Sequence, residues 1–133
     1  WFLQSALTVM RATEDRRGEA MVLASTGRTL AEIGQLADSL RDSHEALKLA
    51  ETLGEKRIMA RALASIGYAE FLLNELPTAI DHYEQALLLQ RMIGDKRQEA
   101  MTLTNLGIAW SQLGNQDKAL AYYGEALPLG WKE

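Results

Sequence analysis

The chain has 133 residues, of which 47% are hydrophobic, and a formal net charge of −4. This is enough for one domain with a buried core. The acidic balance argues against a nucleic-acid or membrane-surface binder, since both need a concentrated basic face. The chain has no cysteine, which excludes disulfides, zinc–thiolate sites and thiol catalysis and suits a reducing compartment, so we expect a cytoplasmic protein. It shows no signal peptide or initiator methionine, and we expect a fragment of a longer protein.

Hydrophobic residues recur at helical spacing along the whole chain, and no alternating segment indicates a strand. In chain order, the pattern predicts helices at about 1–13, 17–33, 37–53, 57–73, 77–93, 97–113 and 117–127. Pro77 suits the first turn of its helix, and Pro128 is expected to end the last one.

Equivalent residues recur every forty positions. The series that show this most clearly are Arg17, Arg57 and Arg97; Leu23, Leu63 and Leu103; Gly27, Gly67 and Gly107; and Ala46, Ala86 and Ala126. We therefore divide the chain into the second helix of a preceding repeat (1–14) and three repeats (15–54, 55–94 and 95–133, the last incomplete). About seven antiparallel helices stacked in pairs make an all-α fold, an α-solenoid.

The segment MIGDKRQEA, residues 92–100, looks at first like a phosphate-binding loop. A phosphate loop needs two glycines, a Ser or Thr directly after its lysine, and a strand before it. This segment has one glycine, no Ser or Thr after its lysine and no predicted strand before it. Its repeats, TLGEKRIMA and ATEDRRGEA, favour a turn between helices, with Asp15, Glu55 and Asp95 at the helix starts. Gly34, Asn74 and Gly114 occupy the other turns, where a positive φ is wanted.

The first helices carry Leu63-x-x-Ile66-Gly67 and Leu103-x-x-Leu106-Gly107-x-x-Trp110, and the second carry Ala79-x-x-x-Tyr83 and Ala119-x-x-x-Tyr123. In these motifs the chain resembles the tetratricopeptide repeat (TPR) family, in a long variant of forty residues. The resemblance implies a right-handed superhelix whose first helices line a concave surface. It also implies a protein-binding scaffold. The departures from the family pattern are Ser39, Ser43, Glu70 and Gly124.

No set of residues has the spacing of a catalytic or metal site. His44 and His82 are not equivalent repeat positions, and neither lies in a zinc-binding motif. The acidic pairs on the second helices are explained by solvated helix faces. We expect no enzyme activity, no cofactor and no metal.

On the first helices, Ala20, Leu23, Gly27 and Leu30 and their equivalents recur at helical spacing and form the core stripe. A second stripe lies beside it on the same helices, at spacing i, i+4, i+7, i+11. Its arginines could pair with a carboxylate, Tyr68 offers an aromatic anchor, and Asn105 could bond to a peptide backbone. Its apolar members would otherwise be exposed to water. The expected peptide- or protein-binding residues are Met21, Ser25, Arg28, Glu32, Arg61, Ser65, Tyr68, Leu72, Met101, Asn105, Ile108 and Gln112. The same stripe could instead dock another part of the same protein.

Two alternatives remain. Large apolar residues near the ends, Trp1, Phe2 and Trp131, predict self-association of a structural spacer through uncapped ends, giving a homo-oligomer. The chain could also be the sensor segment of a larger bacterial signalling or regulatory protein. The leading hypothesis is a non-catalytic interaction module whose partner is a protein or peptide, with no nucleic-acid or membrane partner.

Overall fold

The structure, a computed structural model, describes residues 4–5 and 15–130. Six long helices occupy residues 15–130, and this range contains no strand. Short turns pair α1 with α2, α3 with α4 and α5 with α6, and each pair packs on the next. The predicted all-α stack of helix pairs is therefore confirmed. The bounds are α1, Arg16–Glu32; α2, Leu36–Leu53; α3, Lys56–Leu72; α4, Leu76–Ile93; α5, Lys96–Gln112; and α6, Gln116–Gly130.

The five helices predicted between residues 17 and 113 agree with the observed bounds to within one residue. The prediction that Pro128 ends the last helix is wrong, because α6 continues through it to Gly130. The proline removes one backbone bond, to the carbonyl of residue 124, near a terminus where carbonyl partners are already missing. Trp1, Phe2 and Trp131 lie outside the described residues, as does the predicted helix 1–13 apart from the helical residues 4–5.

The turns have the backbone that their residues predict. Gly54 and Gly94 follow α2 and α4 with φ of 70° and 72°, a conformation that glycine, and less often asparagine, adopts readily. The turns inside the helix pairs also use positive φ; this holds for Gly34, Asn74 and Gly114. Each turn therefore stops one helix and reverses the chain.

Acidic residues begin the first helix of each pair, as expected. Asp15 Oδ1 accepts a bond from Gly18 N at 2.9 Å, and Asp95 Oδ1 accepts one from Gln98 N at 3.3 Å. Glu55 occupies the same place but makes no capping bond. Its carboxylate lies 3.1 Å from Arg17 Nε, at the start of the preceding first helix.

The core has two parts of different composition. Between α1, α2 and α3 it consists mainly of small residues: Ala20, Leu23, Ala24, Ala46, Ala50, Ile58 and Ala62. The part formed by α4, α5 and α6 contains large ones: Leu76, Ile80, Tyr83, Leu87, Leu103 and Leu106, with Phe71 and Trp110 packed against them. The stack is thus filled by alanine near α1 and by aromatic and leucine side chains further along.

This difference accompanies an unequal spacing of the first helices. α1 packs directly against α3, whereas α3 and α5 do not approach each other as closely. The residues in equivalent places are Ala31 and Ser43 in the first pair but Phe71 and Tyr83 in the second. Because large side chains hold helices further apart, the gap opens beside the pair that carries the two rings.

Candidate functional site

Two clefts open on the face formed by α1, α3 and α5, which we call the groove face. The first, the arginine cleft, has a volume of about 280 Å³, and the second, the tyrosine cleft, about 130 Å³. The arginine cleft is lined by Ser25, Arg28, Thr29, Arg61, Ala64, Ser65 and Gln98. The tyrosine cleft is lined by Tyr68, Phe71, Tyr83, Asn105 and Ile108.

The arginine cleft contains two guanidinium groups and no acidic residue in its wall. Arg61 is exposed and makes no ion pair within residues 15–130. Arg28 Nε lies 3.3 Å from Glu32 Oε2, one turn along the same helix. Ser65 is 1% exposed, and its hydroxyl has no hydrogen-bond partner in the described part of the chain. The cleft can therefore offer donors to an anion.

The tyrosine cleft lies where the wider gap between α3 and α5 exposes the interior. Tyr83 comes up from α4 and forms part of the wall although it is only 1% exposed. Burial raises the pKa of Tyr83 above its ordinary value, and the positive charge of Arg28 partly opposes this shift. The hydroxyl therefore stays protonated and can act as both donor and acceptor.

Arg28 joins the two clefts. Its guanidinium carbon lies 5.0 Å from the centre of the Tyr68 ring, which is cation–π geometry. Gly67, next to Tyr68, lets this part of α3 sit on the Tyr83 ring: a Cβ added at Gly67 would lie 2.9 Å from two ring carbons. The repeat glycine is thus needed for the close packing of α3 on the Tyr83 ring, which lines the tyrosine cleft.

The structure brings together seven of the twelve stripe residues in the two clefts. These are Ser25, Arg28, Arg61 and Ser65 in the arginine cleft and Tyr68, Asn105 and Ile108 in the tyrosine cleft. The other five are exposed and lie outside both clefts: Met21, Glu32, Leu72, Met101 and Gln112. Whether any of the twelve binds a ligand stays a prediction.

Sequence reasoning missed some cleft residues. Gln98 lies one turn before Met101, so extending the stripe by a turn would have found it. Tyr83 was identified only as part of the repeat motif Ala79-x-x-x-Tyr83, and Phe71 was not singled out. Nothing in a single helix pattern shows that these two rings also line a cleft, because the cleft depends on the spacing of neighbouring helices.

The rings of the two histidines are in contact, although the histidines occupy different positions within their repeats. The rings of His44 and His82 are 6.3 Å apart and edge to face, and His82 Nδ1 lies 2.7 Å from Glu70 Oε1. Among the described residues, no cluster of three or more His, Asp or Glu side chains is arranged to hold a metal ion. In the same part of the chain, no helix is long and apolar enough to span a membrane.

Residues 58–129 match the family model of the tetratricopeptide repeat, over more than half of the chain. The chain belongs to the tetratricopeptide repeat family. This confirms the resemblance in the repeat motifs, and TPR domains are in general non-catalytic interaction modules. No curated protein sequence matches the chain.

Solved TPR structures have the same fold. The TPR domain of Arabidopsis FLU superimposes with a TM-score of 0.82 at 16% identity, over 89% of this chain and 99% of that one. A Rap protein complexed with Competence and Sporulation Factor superimposes with a TM-score of 0.89 at 19% identity, over 96% of this chain and 36% of that one. A STAND signal-transduction ATPase with a TPR sensor, from Pyrococcus horikoshii, superimposes with a TM-score of 0.81 at 20% identity, over 98% of this chain and 21% of that one. The chain thus spans about a third or less of these last two proteins.

Proposed function

We propose that this TPR chain is a non-catalytic interaction module that binds a peptide or an extended protein segment on its groove face. One observation carries the proposal: seven residues of one sequence stripe, contributed by three separate helices, meet in two adjoining clefts. Solvated helix faces need no such convergence, whereas binding sites combine apolar walls with a few polar groups. The Rap protein of similar fold was solved in complex with a factor, which supports binding by this architecture.

A selection with short random peptides displayed on phage tests this proposal. The chain is immobilised, and enriched peptides are synthesised and their Kd measured by fluorescence polarisation. We expect binding to weaken at least about tenfold when Arg28, Tyr68 and Asn105 are all changed to alanine, because side chains in both clefts are lost.

The matched control removes three exposed side chains from the second helices. Arg41→Ala, Gln85→Ala and Leu88→Ala are all outside the clefts, and together they should leave Kd unchanged. If no peptide is enriched, or if the cleft variant binds as tightly as the control, the groove face is not the binding site.

A second candidate function, self-association, is favoured by the apolar face of α6. Leu120 and Leu127 are 66% and 58% exposed. The residues forty positions earlier, Ile80 and Leu87, are 8% and 4% exposed because α5 and α6 cover them. The same stripe that is core in one pair is thus uncovered in the next, and a second copy could cover it.

Sedimentation velocity over a range of concentrations tests self-association. We expect a concentration-dependent dimer that is abolished by Leu120→Asn with Leu127→Asn. Leu88→Asn removes an equally exposed leucine from α4 and serves as the control. A monomer at every concentration would contradict a role for this face in self-association.

The alternative that the chain is a sensor segment rests only on its likeness to the STAND protein, whose tetratricopeptide repeat part is described as a sensor. It stays a prediction.

A further inference from the structure

The arginine cleft has the chemistry of an anion site in a chain that is acidic overall. Two guanidinium groups line it, no carboxylate does, and the chain carries a net charge of −4. Two other arginines of the first helices are paired across the stack: Arg17 with Glu55 at 3.1 Å, and Arg57 with Asp95 at 3.0 Å. Arg61 has no carboxylate partner in residues 15–130; Arg97 has none there either, but of these two only Arg61 lines the arginine cleft.

The remaining groups of this cleft are available to a ligand. Arg28 and Glu32 are both partly exposed and lie one turn apart on α1, and the buried Nε of Arg28 makes no hydrogen bond of good geometry among the described residues. Such pairs contribute a few tenths of a kcal/mol, so a ligand carboxylate can replace Glu32. The hydroxyl of Ser65 is buried in the wall with no partner. A buried hydroxyl without a hydrogen bond is unusual, and an oxyanion in the cleft would supply the missing acceptor.

The tyrosine cleft suits one large apolar side chain. Its volume is about 130 Å³, and a cavity of about 150 Å³ is known to hold a benzene molecule. Tyr68, Phe71 and Ile108 provide the apolar wall, and Asn105 provides an amide at the edge that can bond to a peptide backbone. A ring or a branched aliphatic side chain would be buried there.

The two clefts lie within reach of one short peptide. Arg61 and Tyr68 are seven residues apart on α3, which corresponds to about 10 Å along the helix axis. An extended peptide covers that distance in about three residues. Arg28, which lines the arginine cleft, stacks on Tyr68, which lines the tyrosine cleft, so the two clefts adjoin at this pair.

Building on the proposed function, we propose that the two clefts are subsites for one extended peptide motif. An aspartate or glutamate of the peptide binds Arg28 and Arg61 in the arginine cleft. An aromatic or large aliphatic side chain, about three or four residues away, enters the tyrosine cleft. The partner is therefore a protein segment that combines one acidic residue and one large apolar residue at a fixed spacing.

The random-peptide selection described above provides the test, with the peptide carboxyl ends joined to the carrier so that only side-chain carboxylates are presented. Enriched sequences should share an acidic and a large apolar residue at one spacing. For a selected peptide, changing its acidic residue to the amide should weaken binding to the wild-type chain about tenfold. The same peptide change should have little effect on an Arg28→Gln, Arg61→Gln double variant, because the two changes remove the same interaction.

The control variant, Lys48→Gln with Arg97→Gln, loses the same two positive charges at exposed positions outside both clefts. It should keep the full acidic preference, and thermal unfolding of every variant verifies that each is folded. Ile108→Ala leaves Arg28 and its contact with Tyr68 in place, so it should weaken the apolar preference and leave the acidic one. Peptides that depend on the groove face but show no acidic or apolar preference would overturn this inference alone. Failure to enrich any groove-dependent peptide would overturn the proposed function as well.

Discussion

At the scale of single residues, two serines of α2 occupy places that hold Ala79 and Tyr83 in the next pair. Ser39 Oγ donates a hydrogen bond of 2.6 Å to the carbonyl oxygen of Gly27, and the group is buried. Ser43 is equally buried, but its hydroxyl has no partner among the described residues. One turn of the same helix thus contains a satisfied and an unsatisfied hydroxyl in the same core.

These two serines should respond oppositely to alanine. Ser39→Ala loses a buried hydrogen bond and should lower the free energy of unfolding by about 1 kcal/mol. Ser43→Ala removes a buried polar group without a partner and should raise it by up to about 1 kcal/mol. Urea denaturation measures both, provided that the slope of the transition stays constant. If Ser43→Ala destabilises the chain as much as Ser39→Ala does, the Ser43 hydroxyl is hydrogen-bonded in solution.

At the scale of helices, polar contacts tie α6 to the earlier pair. Arg91 of α4 bonds to Glu99 of α5 at 2.9 Å and to Glu125 of α6 at 2.8 Å. The Tyr122 hydroxyl of α6 bonds to Glu84 of α4. Burial, followed by the bond to Glu84, raises the pKa of Tyr122 from 10 to about 12. These contacts hold α6 in place although one of its apolar faces is uncovered.

The shifted pKa of Tyr122 predicts a loss of stability in alkali. Between pH 10 and about 12 the unfolded chain releases this proton while the folded chain retains it, so the free energy of unfolding falls as pH rises through that range. Below pH 10 both states are protonated, and the stabilisation is complete. Tyr122→Phe should be slightly less stable at neutral pH and should lose less stability between pH 10 and 12.

The comparison of the two proteins in the same buffers cancels the titration of lysines and of the other tyrosines. Chemical denaturation at a series of pH values gives the two curves. Parallel curves from pH 9 to pH 12 would show that Tyr122 keeps an ordinary pKa and that its bond to Glu84 is not formed in solution.

At the scale of the whole molecule, the forty-residue period was sufficient to predict the helices and their turns. The positive-φ residues and the apolar stripes are local signals, so the bounds of α1 to α5 could be read from them. The stripe also identified most of the cleft residues. The clefts themselves could not be predicted, because they depend on how Phe71 and Tyr83 space two helices that are not adjacent in sequence. The contact between His44 and His82 was missed for the same reason.

Packing along the stack predicts an uneven protection of backbone amides. α3 and α4 are covered by helix pairs on both sides, whereas α6 has exposed Leu120 and Leu127. Since each repeat is stabilised by its neighbours, α6 should exchange its amide hydrogens fastest among α3 to α6. Hydrogen exchange followed by mass spectrometry measures this order. Equal protection of α6 and α3 would mean that the apolar face of α6 is covered in solution.

The difference between the small and the large core residues also affects how the chain avoids misfolding. Chains built from similar repeats can pair the wrong units, because one repeat offers nearly the same apolar surface as another. Here Ala31 and Ser43 leave room for close packing, while Phe71 and Tyr83 need a wider gap. A helix pair docked one repeat out of place would leave a cavity where small side chains replace the two rings, or a clash where the rings replace small side chains. The two interfaces are therefore not interchangeable, and the order in which the repeats stack is specified by side-chain size.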